Sequence, residues 1–80
     1  MDYLLGEIIL LPYGFEIEDC LTCRGQSLPI MEFQALYALI GPKFGGNGTT
    51  HFNLPDLRGA EPIPGMGYYI VTNGMFPQRQ

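Results

Sequence analysis

Basic residues are scarce and scattered in this chain. Arg24, Lys43, Arg58 and Arg79 are the only four, against eight acids, for a formal charge of −4. No basic stripe exists to neutralise phosphates, which disfavours nucleic acid as a partner. An anionic membrane surface is disfavoured for the same reason. Long apolar runs are missing too: Ile8 to Leu11 stops at Pro12, a strand's length and far short of a membrane span. The opening MDYLLGEI has no positive region and no small-residue cleavage site, so no secretory signal is expected. Cysteine is limited to Cys20 and Cys23, too close together for a disulfide between them to close a useful loop. Histidine occurs once, at His51.

Apolar residues are plentiful. They make up 46% of only 80 residues. A chain of this size buries about 60–65% of its unfolded surface, so one small core is marginal without reinforcement. The apolar excess points to an oligomer, because a small sphere hides that much apolar surface poorly. One domain covering residues 1–80 is expected.

Gly6 to Leu11 is β-rich and ends at the turn signal Pro12-Tyr13-Gly14. Glu16, Glu18 and Asp19 form a charged run of the kind that usually faces solvent. In LTCRGQSL, Arg24-Gly25-Gln26 suits a tight turn between two short strands. The period then changes. Phe33, Leu36, Tyr37 and Ile40 fall on one helical face, predicting a short helix over about residues 32–40. Gly41 and Pro42 end it, and Met31 gives it a weak N-cap. So short a helix must be held by packing. FGGNGTT is a glycine loop, and Ala60 to Gly67 should be irregular. Tyr68 to Thr72 is the best strand candidate, with Asn73-Gly74 as a hairpin-type turn after it. The class is α+β: a small, β-rich fold with one short helix and long irregular Gly/Pro loops.

No group of residues passes as a catalytic constellation, and a non-enzyme without cofactor is expected. Cys20-Leu-Thr-Cys23 could grip half of a zinc tetrahedron, but a second pair is lacking. As a redox motif it lacks the surrounding βαβ unit. Two small, partly buried thiols are the simpler reading; a metal shared across an oligomer is the alternative. The loop from Gly41 to Gly46 lacks the lysine of a phosphate loop, since Asn47 stands in its place. His51 has Ser27 as a conceivable nucleophile partner, but nothing builds a nucleophile elbow around that serine. A plain polar contact fits His51 better.

NLPDLRG, residues 53–59, presents the sharpest choice between scaffold and site. Asp56 follows Pro55 where its carboxylate can accept backbone N–H bonds. Arg58 can fork onto Asp56 or onto carbonyls of the glycine loop. Leu54 and Leu57 should point inward and pin the segment to the helix. Loop-rich chains must find partners for many backbone groups, and the residue types favour scaffold.

Four blocks carry a family likeness: LLGEIILLPYGF, CRGQSLPI, FQALYALIGPKFGGNGTTHFNLPDLRG and YYIVTNGMFPQRQ. Together they resemble the phage tail collar domain, in the form found in microcystin-dependent proteins. The motif Leu54-Pro55-Asp56-Leu57-Arg58-Gly59, after a short helix and a glycine loop, is the most specific of them. The resemblance implies a collar-type fold and a structural or adhesive module of a phage tail fibre, baseplate or related injection apparatus. It also implies a homotrimer, other tail or baseplate proteins as neighbours, and a place in the virion, or in the host cytoplasm before assembly. Longer relatives carry a Gly-rich insertion between the motif and the last strand; here Arg58 and Tyr68 are ten residues apart, so it is missing. Histidine pairs that bind metal in some relatives are missing with it. Cys23 matches the family's cysteine, Cys20 is extra, and Met31 stands where relatives often have Ser.

Leu4, Ile8, Phe15, Tyr68 and Tyr69 are the candidates for a self-association interface. Tyr13, Phe44 and Asn47 are candidates for a ligand loop, carbohydrate on a host surface being the partner that aromatic and amide groups on glycine loops suit.

Overall fold

The computed structural model describes residues 4–12, 14 and 17–77. Tyr13, Phe15 and Glu16 lie outside the described residues, so the ligand-loop reading of Tyr13 and the interface reading of Phe15 are not addressed by it.

Aromatic and β-branched residues crowd the segment MGYYIV, and it forms β5 (Met66–Val71), the central strand of the larger sheet. β1 (Ile8–Pro12) and β2 (Cys20–Thr22) flank it, both antiparallel, in the order β1-β5-β2. Ile8 lies opposite Ile70, and Leu21 lies opposite the same residue from the other side. A second, two-stranded sheet pairs β3 (Ser27–Pro29) with β4 (His51–Asn53), Leu28 facing Phe52. Between β3 and β4 come a 3-10 turn (Ile30–Glu32) and α1 (Gln34–Ile40). The α+β class stands.

α1 obeys its period. Leu36 is fully buried, and Phe33, Tyr37 and Ile40 pack beside it against the main core. The expected span of 32–40 breaks at Phe33, which has a non-helical backbone and no side-chain cap on either side of it. The weak cap thus shortens the α-helix to seven residues and leaves a 3-10 turn before it.

The core divides across β5, because side chains alternate along a strand. Ile70 joins Leu5, Cys23, Leu28, Leu36, Phe52 and Leu54 on one face. Tyr69 and Val71 join Cys20 on the other, covered by Ile9, Leu11 and Ile17. The interface reading of Tyr69 is therefore corrected: at 2% exposure it is consumed by its own chain.

Two turn readings also change. Arg24-Gly25-Gln26 does not close a hairpin; it carries the chain from the larger sheet, at β2, to the smaller one, at β3. Asn73-Gly74 does not return the chain antiparallel to β5. Instead Met75 forms a parallel bridge with Leu4, and the Leu5 amide donates to the Met75 carbonyl at 2.7 Å. The two ends of the described chain thereby tie to each other. Local turn chemistry is common to many topologies, so neither outcome was readable from the turn residues alone.

Candidate functional site

The segment 53–59 lies along residues 23–26, and its backbone is bonded at nearly every step. The Leu54 amide donates to the Gln26 carbonyl at 3.0 Å, the Gly25 amide to the Pro55 carbonyl at 3.2 Å, and the Leu57 amide to the Cys23 carbonyl at 3.0 Å. Arg24 and Asp56 form an antiparallel bridge in the middle. A Cβ on Gly25 would stand 3.3 Å from the Asp56 Cβ, and its φ is +74°. Glycine is what permits both the turn and the close approach. The segment thus ties β4 to the crossover between the two sheets. Such backbone pairing satisfies groups that an irregular loop would leave orphaned.

Side chains fix the same segment. Leu54 is 1% exposed in the main core, Pro55 is buried, and Leu57 packs half-buried against that core. Asp56 and Arg58 take the opposite, solvent side. The Asp56 Oδ1 accepts from the Arg58 amide at 3.2 Å and from Nε at 2.9 Å, while Oδ2 accepts from Nη2 at 2.8 Å. These bonds hold the Asp56 carboxyl down at about 2, the side-chain bond contributing most and the backbone bond next. Asp56, one of the two partners open to Arg58 in the sequence, is thus a partner it takes. Both side chains remain well exposed, at 66% and 47%, so the ion pair decorates the brace and the leucines anchor it.

The glycine loop is organised by Asn47. Its Oδ1 accepts from the amides of Thr49, Thr50 and His51 at 2.8, 2.9 and 3.1 Å, and its Nδ2 donates to Thr50 Oγ1 at 2.9 Å. The amide group proposed for ligand contact thus has its hydrogen bonds within the loop. Phe44 remains 44% exposed beside it. The Tyr37 hydroxyl donates to the Gly48 carbonyl at 3.2 Å, and its ring meets Phe52 at 5.2 Å. His51 contacts Thr50 Oγ1 through Nδ1 at 2.9 Å, a plain polar contact.

Cys20 and Cys23 are buried free thiols that enter different clusters, Cys20 with Tyr69 and Cys23 with Leu36 and Phe52. Burial pushes the Cys23 thiol up to about 11 and raises Cys20 as well, helped there by Asp19 and Glu7. Thiols held protonated are poor nucleophiles and poor metal ligands. Among the described residues no three His, Cys, Asp or Glu side chains gather where a metal could sit.

Of the interface candidates, Leu4 and Ile8 are exposed at 46% and 44%, while Tyr68 is half-buried on the main core. Met75 and Phe76, at 60% and 50%, were missed by sequence reasoning. Two apolar residues directly after the Asn73-Gly74 turn were the available signal. Met75 shares its bridge with Leu4, so two exposed apolar residues lie side by side on the backbone where the two ends join. No helix among the described residues is long and apolar enough to cross a membrane.

A family model described as the Phage Tail Collar Domain matches residues 6–62, from just before the first strand to just past the brace. No curated protein matches the chain.

Proposed function

The chain belongs to the phage tail collar domain family, a structural module of phage tails, and on that premise we propose that it serves as a self-associating part of a tail fibre, baseplate or related injection apparatus. A homotrimer is the favoured assembly, with other tail or baseplate proteins as its neighbours and the virion as its final location. Its work is assembly and attachment, and no catalysis enters this reading.

The observation that carries self-association is the apolar surface of so small a unit. Leu4, Ile8, Met75 and Phe76 are each 44–60% exposed, and Leu4 and Met75 are bridged. The bridge sets two of these exposed apolar residues, Leu4 and Met75, side by side, and exposed apolar surface favours burial against another chain. Sedimentation velocity at micromolar concentration tests it. A small multiple of 8.9 kDa is expected, and a clean 8.9 kDa species contradicts the reading.

Attachment to host-surface carbohydrate is the second reading, resting on the exposed Phe44 of the glycine loop. Aromatic faces suit sugar rings. Binding of the assembled protein on a glycan array, lost on Phe44→Ala, supports it; a blank array leaves assembly as the whole role.

A further inference from the structure

Resting on the self-association reading, we propose that copies join edge to edge, the outer edge of β2 receiving β1 of a second copy in parallel.

The hydrogen-bond pattern defines the receiving edge. The Thr72 amide donates to the Asp19 carbonyl at 2.7 Å, and the Cys23 amide to the Tyr68 carbonyl at 3.0 Å. Bonded and non-bonded pairs alternate in an antiparallel ladder. Leu21 therefore turns its backbone groups to β5, while Cys20 and Thr22 turn theirs outward.

Most of the outward groups are already occupied. The Cys20 amide donates to the Ile17 carbonyl at 3.1 Å. Gln26 Nε2 donates to the Thr22 carbonyl at 2.7 Å, and Gln26 Oε1 accepts from the Arg24 amide at 3.2 Å. Among the described residues, that leaves the Cys20 carbonyl and the Thr22 amide, the pair flanking Leu21. They border a groove of about 550 Å³ whose described lining runs from Ile17 and Glu18 to Arg24 and Gln26.

One residue of a parallel strand fits such a pair. In parallel pairing a residue donates to the carbonyl before its neighbour and accepts from the amide after it. Gln26 already uses its side-chain amide in this way one step further on, around Cys23. The open edge is therefore one residue wide.

β1 is suited to supply that residue. β1 and β2 both run antiparallel to β5, so they run parallel to each other. A copy displaced sideways presents β1 to β2 in the required sense without a flip. The Val71 amide donates to the Glu7 carbonyl at 2.9 Å, so Ile8 and Leu10 turn their backbone groups to the outer edge. The strand reads IILLP, with no charge to guard it. Its one edge-blunting residue, Pro12, comes after Ile8 and Leu10, and apolar edges left open in this way are templates for pairing.

Exposure selects the register. Leu10 is half-buried, whereas Ile8 is exposed, so Ile8 is placed level with Leu21. Ile8, 44% exposed, then donates to the Cys20 carbonyl and accepts from the Thr22 amide. Each copy uses two different edges, a head-to-tail contact that closes into a ring such as a trimer when each copy is also rotated about a common axis, and runs on as a filament when it is only displaced.

Thr22→Pro removes the open donor and touches no ladder bond, and proline is tolerated on an outward strand edge. Ile8→Pro removes the complementary donor on β1. Each variant, folded by circular dichroism, is expected to sediment as a monomer where the parent associates. Mixed one to one, each supplies the edge the other lacks, and a species of twice 8.9 kDa should form and grow no further. Variants that associate like the parent, or a mixture that stays monomeric, overturn the edge pairing and leave self-association standing. A monomeric parent overturns both. If either variant fails to fold, amide exchange in the parent decides. The Thr22 amide should slow at least tenfold at concentrations where the assembly is populated; unchanged exchange there overturns the proposal.

Discussion

The Arg58 guanidinium grips the Asp56 carboxylate with two nitrogens, at 2.9 and 2.8 Å, on the solvent side of a segment whose leucines face the core. The most eye-catching charges of the motif thus lie outside, and its plain residues lie inside. This arrangement ranks the substitutions.

Leu54→Ala should cost ~2–5 kcal/mol, the range for emptying a packed aliphatic site. Arg58→Ala, which removes an exposed partner, should cost far less. Urea midpoints of the two variants check the order. Equal losses would mean that the ion pair holds the segment.

The pH dependence of Asp56 has a definite sign. Its carboxyl lies at about 2 in the folded chain against an ordinary 3.8. A depressed value contributes stability above the ordinary pKa, and that contribution is lost as pH falls through the folded one. Thermal midpoints of the parent should therefore fall between about pH 4 and pH 2, and Asp56→Asn should flatten part of that fall. Parallel curves for the two proteins would show that the bonds to Arg58 add nothing.

Both thiols should be silent in the folded state. Burial holds Cys23 at about 11, so a thiol reagent at pH 7.5 should label neither cysteine quickly, and both after unfolding. For a raised pKa, stability is full below the unfolded value of about 8.5 and declines as pH rises toward 11. Rapid native labelling would reopen a redox or metal role for the pair.

Gly46 should tolerate no side chain. A Cβ there would meet the Phe52 Cα at 2.6 Å and the His51 carbonyl at 2.8 Å, both rigid backbone of β4, and φ is +97°. Gly46→Ala should cost at least ~1–3 kcal/mol from forced movement alone. A melting temperature equal to the parent's would show that the loop is not seated on β4.

Much of this was legible in the sequence wherever one local rule decides. The 3.6-residue spacing of Phe33, Leu36, Tyr37 and Ile40 marked the buried face of α1, and the aromatic, β-branched run marked β5. The inward leucines followed from residue chemistry within seven positions, and the Asp56–Arg58 fork was one of the two arrangements that chemistry left open. Long-range pairing was not legible. Nothing in LTCRGQSL says that its two strands belong to different sheets, and nothing in Asn73-Gly74 says that Met75 will bridge Leu4. Tyr69 looked like an interface residue because Tyr68 and Tyr69 are chemically alike; the alternation along β5 buries one more completely than the other. Asn47 looked free because its loop could not be closed on paper.

The central claim is that residues 54–57 brace the fold and are not a mobile binding loop. Native-state hydrogen exchange of the Leu54 and Leu57 amides, bonded to the Gln26 and Cys23 carbonyls, tests it most directly. The account predicts that both exchange only through global unfolding, with the same denaturant dependence as amides of β5. Fast exchange of Leu54 and Leu57 through local opening, while β5 stays protected, would contradict it.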